Sequence, residues 1–118
     1  MNASDLMISD WVYDGNSIAQ VTSITCDGII ETTHNQSSNI ELIQPISLTV
    51  EILEKNGFVK EPDADGLHYW FTLIDEHTKF SVFYARSVFQ WLGPLDFKYV
   101  NELQHALRLC EIKKEIEL

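Results

Sequence analysis

No lysine or arginine precedes Lys55. The first 54 residues hold eight acids (Asp5, Asp10, Asp14, Asp27, Glu31, Glu41, Glu51 and Glu54), a formal −8, and the remaining 64 hold ten acids and eight bases, so the 118-residue chain stands at −10. Nucleic acid is bound by Lys and Arg that displace condensed counterions, and a surface without them repels phosphate within the Debye length. Direct binding of DNA or RNA is therefore not expected. Solubility accounts for the bias, and the functional alternative is an acidic face for a basic partner.

Cysteine is scarce as well. Cys26 and Cys110 stand far apart and no Cys-x-x-Cys occurs, which excludes a disulfide framework and predicts reduced thiols. No apolar run approaches the roughly 20 residues of a membrane-spanning helix, so no membrane partner is expected. The opening Met1-Asn2-Ala3-Ser4-Asp5 offers neither a basic nor an apolar signal region, and the expected compartment is the cytoplasm. Three Trp, four Tyr and six Phe in a chain that is 45% apolar exclude a disordered tail. A chain of this mass buries roughly two-thirds of its unfolded surface, enough to fold without a metal or a disulfide.

What is present reads as two blocks. Residues 8–43 are short β-type runs between turn residues: 8–13 before Asp14-Gly15-Asn16, 18–24 before Cys26-Asp27-Gly28, 29–33 before the polar stretch 34–39, then 40–43. Four strands in so few residues predict a small, strongly bent antiparallel sheet of SH3-like form. A short helix follows. Thr49 is its N-cap, Glu51 complements its dipole, Leu48 and Leu53 form a hydrophobic staple, and Asn56-Gly57 ends it in a left-handed cap that brings Phe58 to Leu53.

Glu61-Pro62-Asp63-Ala64-Asp65-Gly66 reads as the loop between the halves. Beyond it Leu67, Tyr69, Phe71 and Leu73 alternate with His68, Trp70 and Thr72, and Phe80, Val82 and Tyr84 alternate with Ser81, Phe83 and Ala85, a hairpin with residues 75–78 as its connection. A third strand spans 88–92 and stops at Gly93-Pro94. Tyr99, Val100, Leu103, Ala106, Leu107 and Cys110 form the apolar stripe of a final helix with Asp96 as its cap and Lys98 paired to Glu102, and Ile116 and Leu118 predict a short last strand. The fold expected is α+β: an SH3-like β subdomain over 1–46, then an α-β-β-β-α subdomain over 47–118, sharing one compact unit.

Three stretches together carry a resemblance: residues 5–12, residues 45–58 (from Pro45-Ile46-Ser47-Leu48-Thr49 to Lys55-Asn56-Gly57-Phe58) and Lys98-Tyr99-Val100-Asn101-Glu102-Leu103-Gln104. The chain resembles, over its whole length, a group of short uncharacterised proteins of gut Bacteroidetes often encoded near prophage or mobile-element genes. That resemblance implies a genetic context and brings no activity, cofactor or catalytic residue.

Motifs that could carry chemistry each have a plainer explanation. Glu102-x-x-His105 on a helix matches half of a carboxylate-bridged di-metal site, but a second copy and two further Glu are missing, so a solvated helix face is the better account. Asp63-Ala64-Asp65-Gly66 matches part of a calcium loop, yet Thr72 stands where a bidentate Glu is needed, and a tight acidic turn explains it. There is no Gly-x-Ser-x-Gly elbow and no phosphate-binding glycine loop. Cys110 lies on an apolar stripe, Cys26 has no neighbouring base, and His34 and His77 fall in connections. No catalytic residue, metal, cofactor or small-molecule substrate is assigned.

The aromatic residues are the richer signal. Bulky groups on both faces of the hairpin must be covered by the chain itself or by another molecule, and Trp70, Phe83 and Trp91 are the candidate binding residues, for a protein partner or a second copy. The function expected is a small, non-enzymatic cytoplasmic accessory or adaptor protein acting through protein contacts. The alternatives are an acidic nucleic-acid mimic or regulator that binds a basic DNA-processing protein, and a small hydrolase or metal-dependent enzyme.

Overall fold

The computed structural model describes residues 6–15, 17–25, 29–33, 37–39, 43–75, 78–86, 88–91 and 95–118. They divide into two units, one running to Ser47 and including Tyr99–Asn101, the other made of Leu48–Lys98 and Glu102–Leu118. Two antiparallel sheets and two helices make the chain α+β.

In the first unit, β1 (Trp11–Tyr13), β2 (Ile18–Ile24), β3 (Ile29–Thr32), β4 (Ser37–Asn39) and β5 (Gln44–Pro45) lie in the order β4-β3-β2-β1-β5. Strand side chains alternate between faces, and Leu6, Val12, Val21, Ile30 and Ile43 gather into one buried cluster with Ile24 against it. The ladder of β2 with β3 shifts between Val21 and Ser23, a bulge that bends the strand.

The expected strand over 8–13 begins only at Trp11. Met7 to Asp10 form a turn in which the Asp10 carboxylate accepts from the Met7 N–H at 2.8 Å, and Ser9 adopts φ 76°. The stretch 34–39 is not all connection, since Ser37–Asn39 pairs with β3. Residues 40–42 of the expected fourth strand lie outside the described residues, and the strand that closes the sheet is Gln44–Pro45, beside β1. Pro45 can take that place because β5 is an edge strand.

The second unit opens with α1 (Val50–Lys55). The Thr49 hydroxyl accepts from the Ile52 N–H at 3.2 Å, and the far end closes as a Schellman motif, Phe58 N–H to Leu53 carbonyl at 3.0 Å and Gly57 N–H to Glu54 carbonyl at 3.2 Å. Gly57 sits at φ 88°, which a side chain would make costly. Then β6 (Val59–Pro62), β7 (Tyr69–Asp75), β8 (Thr78–Ala85), β9 (Val88–Trp91) and β10 (Leu95–Phe97) form a sequential antiparallel meander, and α2 (Val100–Leu109) follows in the chain, belonging to this unit from Glu102 onward.

This sheet has five strands where three were expected. Glu61 and Pro62 belong to β6, so the loop is shorter than 61–66 predicted at its start. The β7–β8 ladder runs to Asp75 opposite Thr78, leaving two residues rather than four between the strands, and those two lie outside the described residues. Asp96 is paired with Gln90 in β10 and is not a helix cap. At the start of α2 the Glu102 carboxylate accepts from the Lys98 backbone N–H at 2.9 Å. No strand forms at Ile116 and Leu118; the segment is held by Asn56 instead.

Register fixes what each face of the second sheet carries. Phe71, Leu73, Phe80, Val82, Phe89 and Phe97 share the inner face and are buried, as are Leu53, Leu103, Ala106, Leu107, Ile112 and Ile116 of the same unit. Burying one such side chain is worth about 1.5–3 kcal/mol, so this apolar layer holds the sheet. Cys110, expected in the core, is half-buried. Among the described residues no helix is long and apolar enough to cross a membrane.

Candidate functional site

The outer face of the second sheet is built in rows. Glu61, Trp70, Phe83 and Gln90 stand side by side across β6 to β9, Val59, Thr72 and Ser81 form the next row, and Ile74 faces Lys79 beyond it. Thr72 is buried and shares a 3.1 Å hydroxyl contact with Ser81. The large apolar groups around it are open to solvent: Val59 is 61% exposed, Ile74 71% and Trp70 37%. An exposed apolar face on a strongly charged small chain marks an interaction surface more readily than scattered single residues do.

The β6–β7 turn completes one end of this face. Asp63 N–H donates to the His68 carbonyl and Gly66 N–H to the Asp63 carbonyl, both at 2.9 Å, and Gly66 takes φ 71°. The Asp65 carboxylate caps the turn from inside: Oδ1 accepts from the N–H groups of Leu67 at 2.8 Å and His68 at 3.1 Å, and Oδ2 lies 2.6 Å from His68 Nδ1. Above all the Leu67 N–H, and next the His68 side chain, hold the Asp65 carboxyl below its ordinary value of 3.8. Asp63 Oδ1 accepts from the Trp70 indole N–H at 3.1 Å. The Trp70 and Phe83 rings meet at 4.9 Å, and the His68 ring lies 5.7 Å from Phe83. The turn thus fixes three rings and two carboxylates as one surface.

Of the three residues assigned to binding from sequence, Trp70 and Phe83 are brought together and Trp91 is not. Gln90 is the register partner of Phe83, so Trp91 points to the opposite face, where it stacks on Phe97 at 5.7 Å and lies 5.4 Å from Phe80. Half-buried among those rings, Trp91 is part of the inner layer. His68, Asp63 and Asp65 were not assigned to the site. They join it because β6 pairs with β7 and turns the loop back over Trp70, and the only trace of this in the sequence is the turn chemistry of Asp63-Ala64-Asp65-Gly66.

Asp63, Asp65 and His68 also place potential metal-ligand atoms within 4.8 Å of one another. Two carboxylates and one imidazole are one ligand short of a closed tetrahedral zinc set and far short of the six to eight oxygens of calcium. Their oxygens already accept from Trp70, Leu67 and His68, so the turn's own hydrogen bonds account for the cluster. Elsewhere, Glu102 and His105 are half-buried on α2, and Cys26, His34 and His77 lie outside the described residues.

No family model, no curated protein and no solved structure matches the chain.

Proposed function

We propose that the protein is a small, non-enzymatic accessory or adaptor protein of the cytoplasm that acts by protein contact through the outer face of its second sheet. The observation that carries this reading is the Trp70–Phe83 pair, a solvent-facing aromatic contact locked by Asp63 on the sheet face that also carries exposed Val59 and Ile74. Rigid aromatic residues supply large contact area at small entropic cost, which is why they dominate protein interfaces. The order β4-β3-β2-β1-β5, a meander whose fifth strand returns to the first, supports an SH3-like form for the first unit. The resemblance to short Bacteroidetes proteins supports a place among prophage or mobile-element functions.

A nucleic-acid mimic needs its carboxylates at the surface. Of the described acids in residues 1–54, Asp10 and Asp14 are buried and spent on local turns, while Glu31, Glu51 and Glu54 are exposed.

The test is affinity capture with the intact chain and with a Trp70→Ala/Phe83→Ala variant whose urea midpoint is shown to be near that of the parent. A partner retained by the parent and lost by the variant is the expected result. Capture that ignores both substitutions, or a catalytic turnover found in the purified protein, overturns the proposal.

A further inference from the structure

Resting on the contact role proposed for the Trp70–Phe83 face, we infer that its occupant is a separate protein that presents an arginine or lysine side chain to the Asp63 and Asp65 carboxylates and the adjoining rings. Glu61 stands beside Trp70 in the outer row, and Asp63 and Asp65 occupy the turn above it. No lysine or arginine occurs in residues 61–70. Lys60 is turned to the other face, its ammonium 4.0 Å from the Tyr69 ring centroid, and Lys79 faces Ile74, four residues from Trp70 and so about 13 Å along the strand.

The acids are already oriented. Asp63 Oδ1 is pinned by the Trp70 indole N–H, Asp65 Oδ1 by the Leu67 and His68 N–H groups, and Asp65 Oδ2 lies 2.6 Å from His68 Nδ1; an ionised carboxylate offers about four acceptor positions, so both acids keep capacity for a further guanidinium or ammonium donor. Hydrogen bonds that keep Asp65 ionised well into the acid range leave the charge in place at neutral pH. The exposed Trp70 indole is the best ring type for a cation lodged beside those acids.

Charge also argues against a second copy. A two-fold contact sets the same patch against itself, which here would oppose Glu61, Asp63 and Asp65 to their own equivalents on chains of formal charge −10.

The experiment is a titration of the full isotope-labelled chain, at 0.15 M salt, with the peptide acetyl-Val-Arg-Val-Arg-Val-amide and with its citrulline counterpart, followed by backbone and indole N–H shifts. The expected result is saturable movement at residues 63–70 and at the Trp70 indole. The citrulline peptide, and an Asp63→Asn/Asp65→Asn variant, should each weaken it at least tenfold. The asparagines retain an acceptor for Trp70, Leu67 and His68, so the turn survives. Equal binding of both peptides at these residues overturns the cationic occupant and leaves the contact face standing. Shifts confined to Glu31, Glu51 and Glu54, or no shift together with a dimer in sedimentation, overturn the occupant and remove its site as well.

Discussion

The side chain of Asn56 pairs with the backbone of Glu117 as a neighbouring strand would: its Nδ2 donates to the Glu117 carbonyl at 2.8 Å and its Oδ1 accepts from the Glu117 N–H at 2.7 Å. The same amide also donates to the Ile52 carbonyl at 2.8 Å, tying the end of α1 to the C-terminal segment. Asn56 is only 2% exposed, so its own amide depends on these bonds for its partners.

Asn56→Ala leaves the Glu117 N–H, the Glu117 carbonyl and the Ile52 carbonyl without their side-chain partner, and a polar group left unpaired away from water costs about 1–3 kcal/mol. A loss of about 2–3 kcal/mol in urea unfolding is expected, with faster proteolysis of residues 112–118. Asn56→Asp, which keeps an acceptor for the Glu117 N–H but no donor, should also be destabilising. A midpoint unchanged in both variants would show that the terminal segment is held by Ile112 and Ile116 alone.

The two helices end in the same motif with different residues at the left-handed position. After α2, the Ile112 N–H donates to the Leu107 carbonyl at 2.9 Å and the Glu111 N–H to the Arg108 carbonyl at 3.0 Å, with Glu111 at φ 59° where α1 has Gly57. A side chain at that conformation is strained by about 1 kcal/mol. Glu111→Gly should therefore stabilise by about 0.5 kcal/mol, while Gly57→Ala should destabilise by about 1 kcal/mol. At Gly57 an added Cβ meets only Leu73 Cδ1 at an ordinary 3.9 Å, so strain, not crowding, sets the sign. Thermal unfolding of both variants checks the opposed shifts.

How much could be read in advance follows the range of the forces involved. Thr49, Gly57 and Phe58 specify α1 through bonds that span a few residues, and the stripe of Val100, Leu103, Ala106 and Leu107 specifies α2, so both were legible. Alternation around Phe71 and Val82 placed the central hairpin. β6 was not legible because Val59, Lys60, Glu61 and Pro62 are all exposed and show no alternation; pairing with β7 alone makes them a strand. β10 was hidden because Asp96 suits a helix cap as well as an edge strand. The site was half legible for the same reason: parity put Trp70 and Phe83 together, whereas Trp91 and His68 depended on the β8–β9 register and on the turn that β6 creates.

Opposite faces give the aromatic residues opposite mutational behaviour. Trp91 stacks between Phe80 and Phe97, and Trp91→Ala should cost about 2–3 kcal/mol, somewhat less than a fully buried ring. Trp70→Ala removes a ring that is partly in solvent and should cost within about 1 kcal/mol. Urea denaturation of the two variants side by side measures the difference. A larger loss at Trp70 than at Trp91 would reverse the assignment of the faces.

The β6–β7 turn should be sensitive to acid. Backbone N–H bonds, that from Leu67 first, and the His68 ring lower the Asp65 carboxyl below its ordinary 3.8. A carboxyl with a depressed folded value stabilises the turn above its unfolded value and loses that contribution as pH falls through the lower folded one. The turn should therefore hold at pH 5 and loosen only below about 4, near the ordinary aspartate range. Carboxyl NMR of Asp65 should show a midpoint under 3.8, with the Leu67 and His68 amide shifts moving in step. In Asp65→Asn the acid step in those amides should vanish while the turn persists, because the amide oxygen still accepts both N–H groups. An Asp65 midpoint at or above the ordinary value would mean that the carboxylate does not cap the turn, and the orientation of the whole acidic rim beside Trp70 would fall with it.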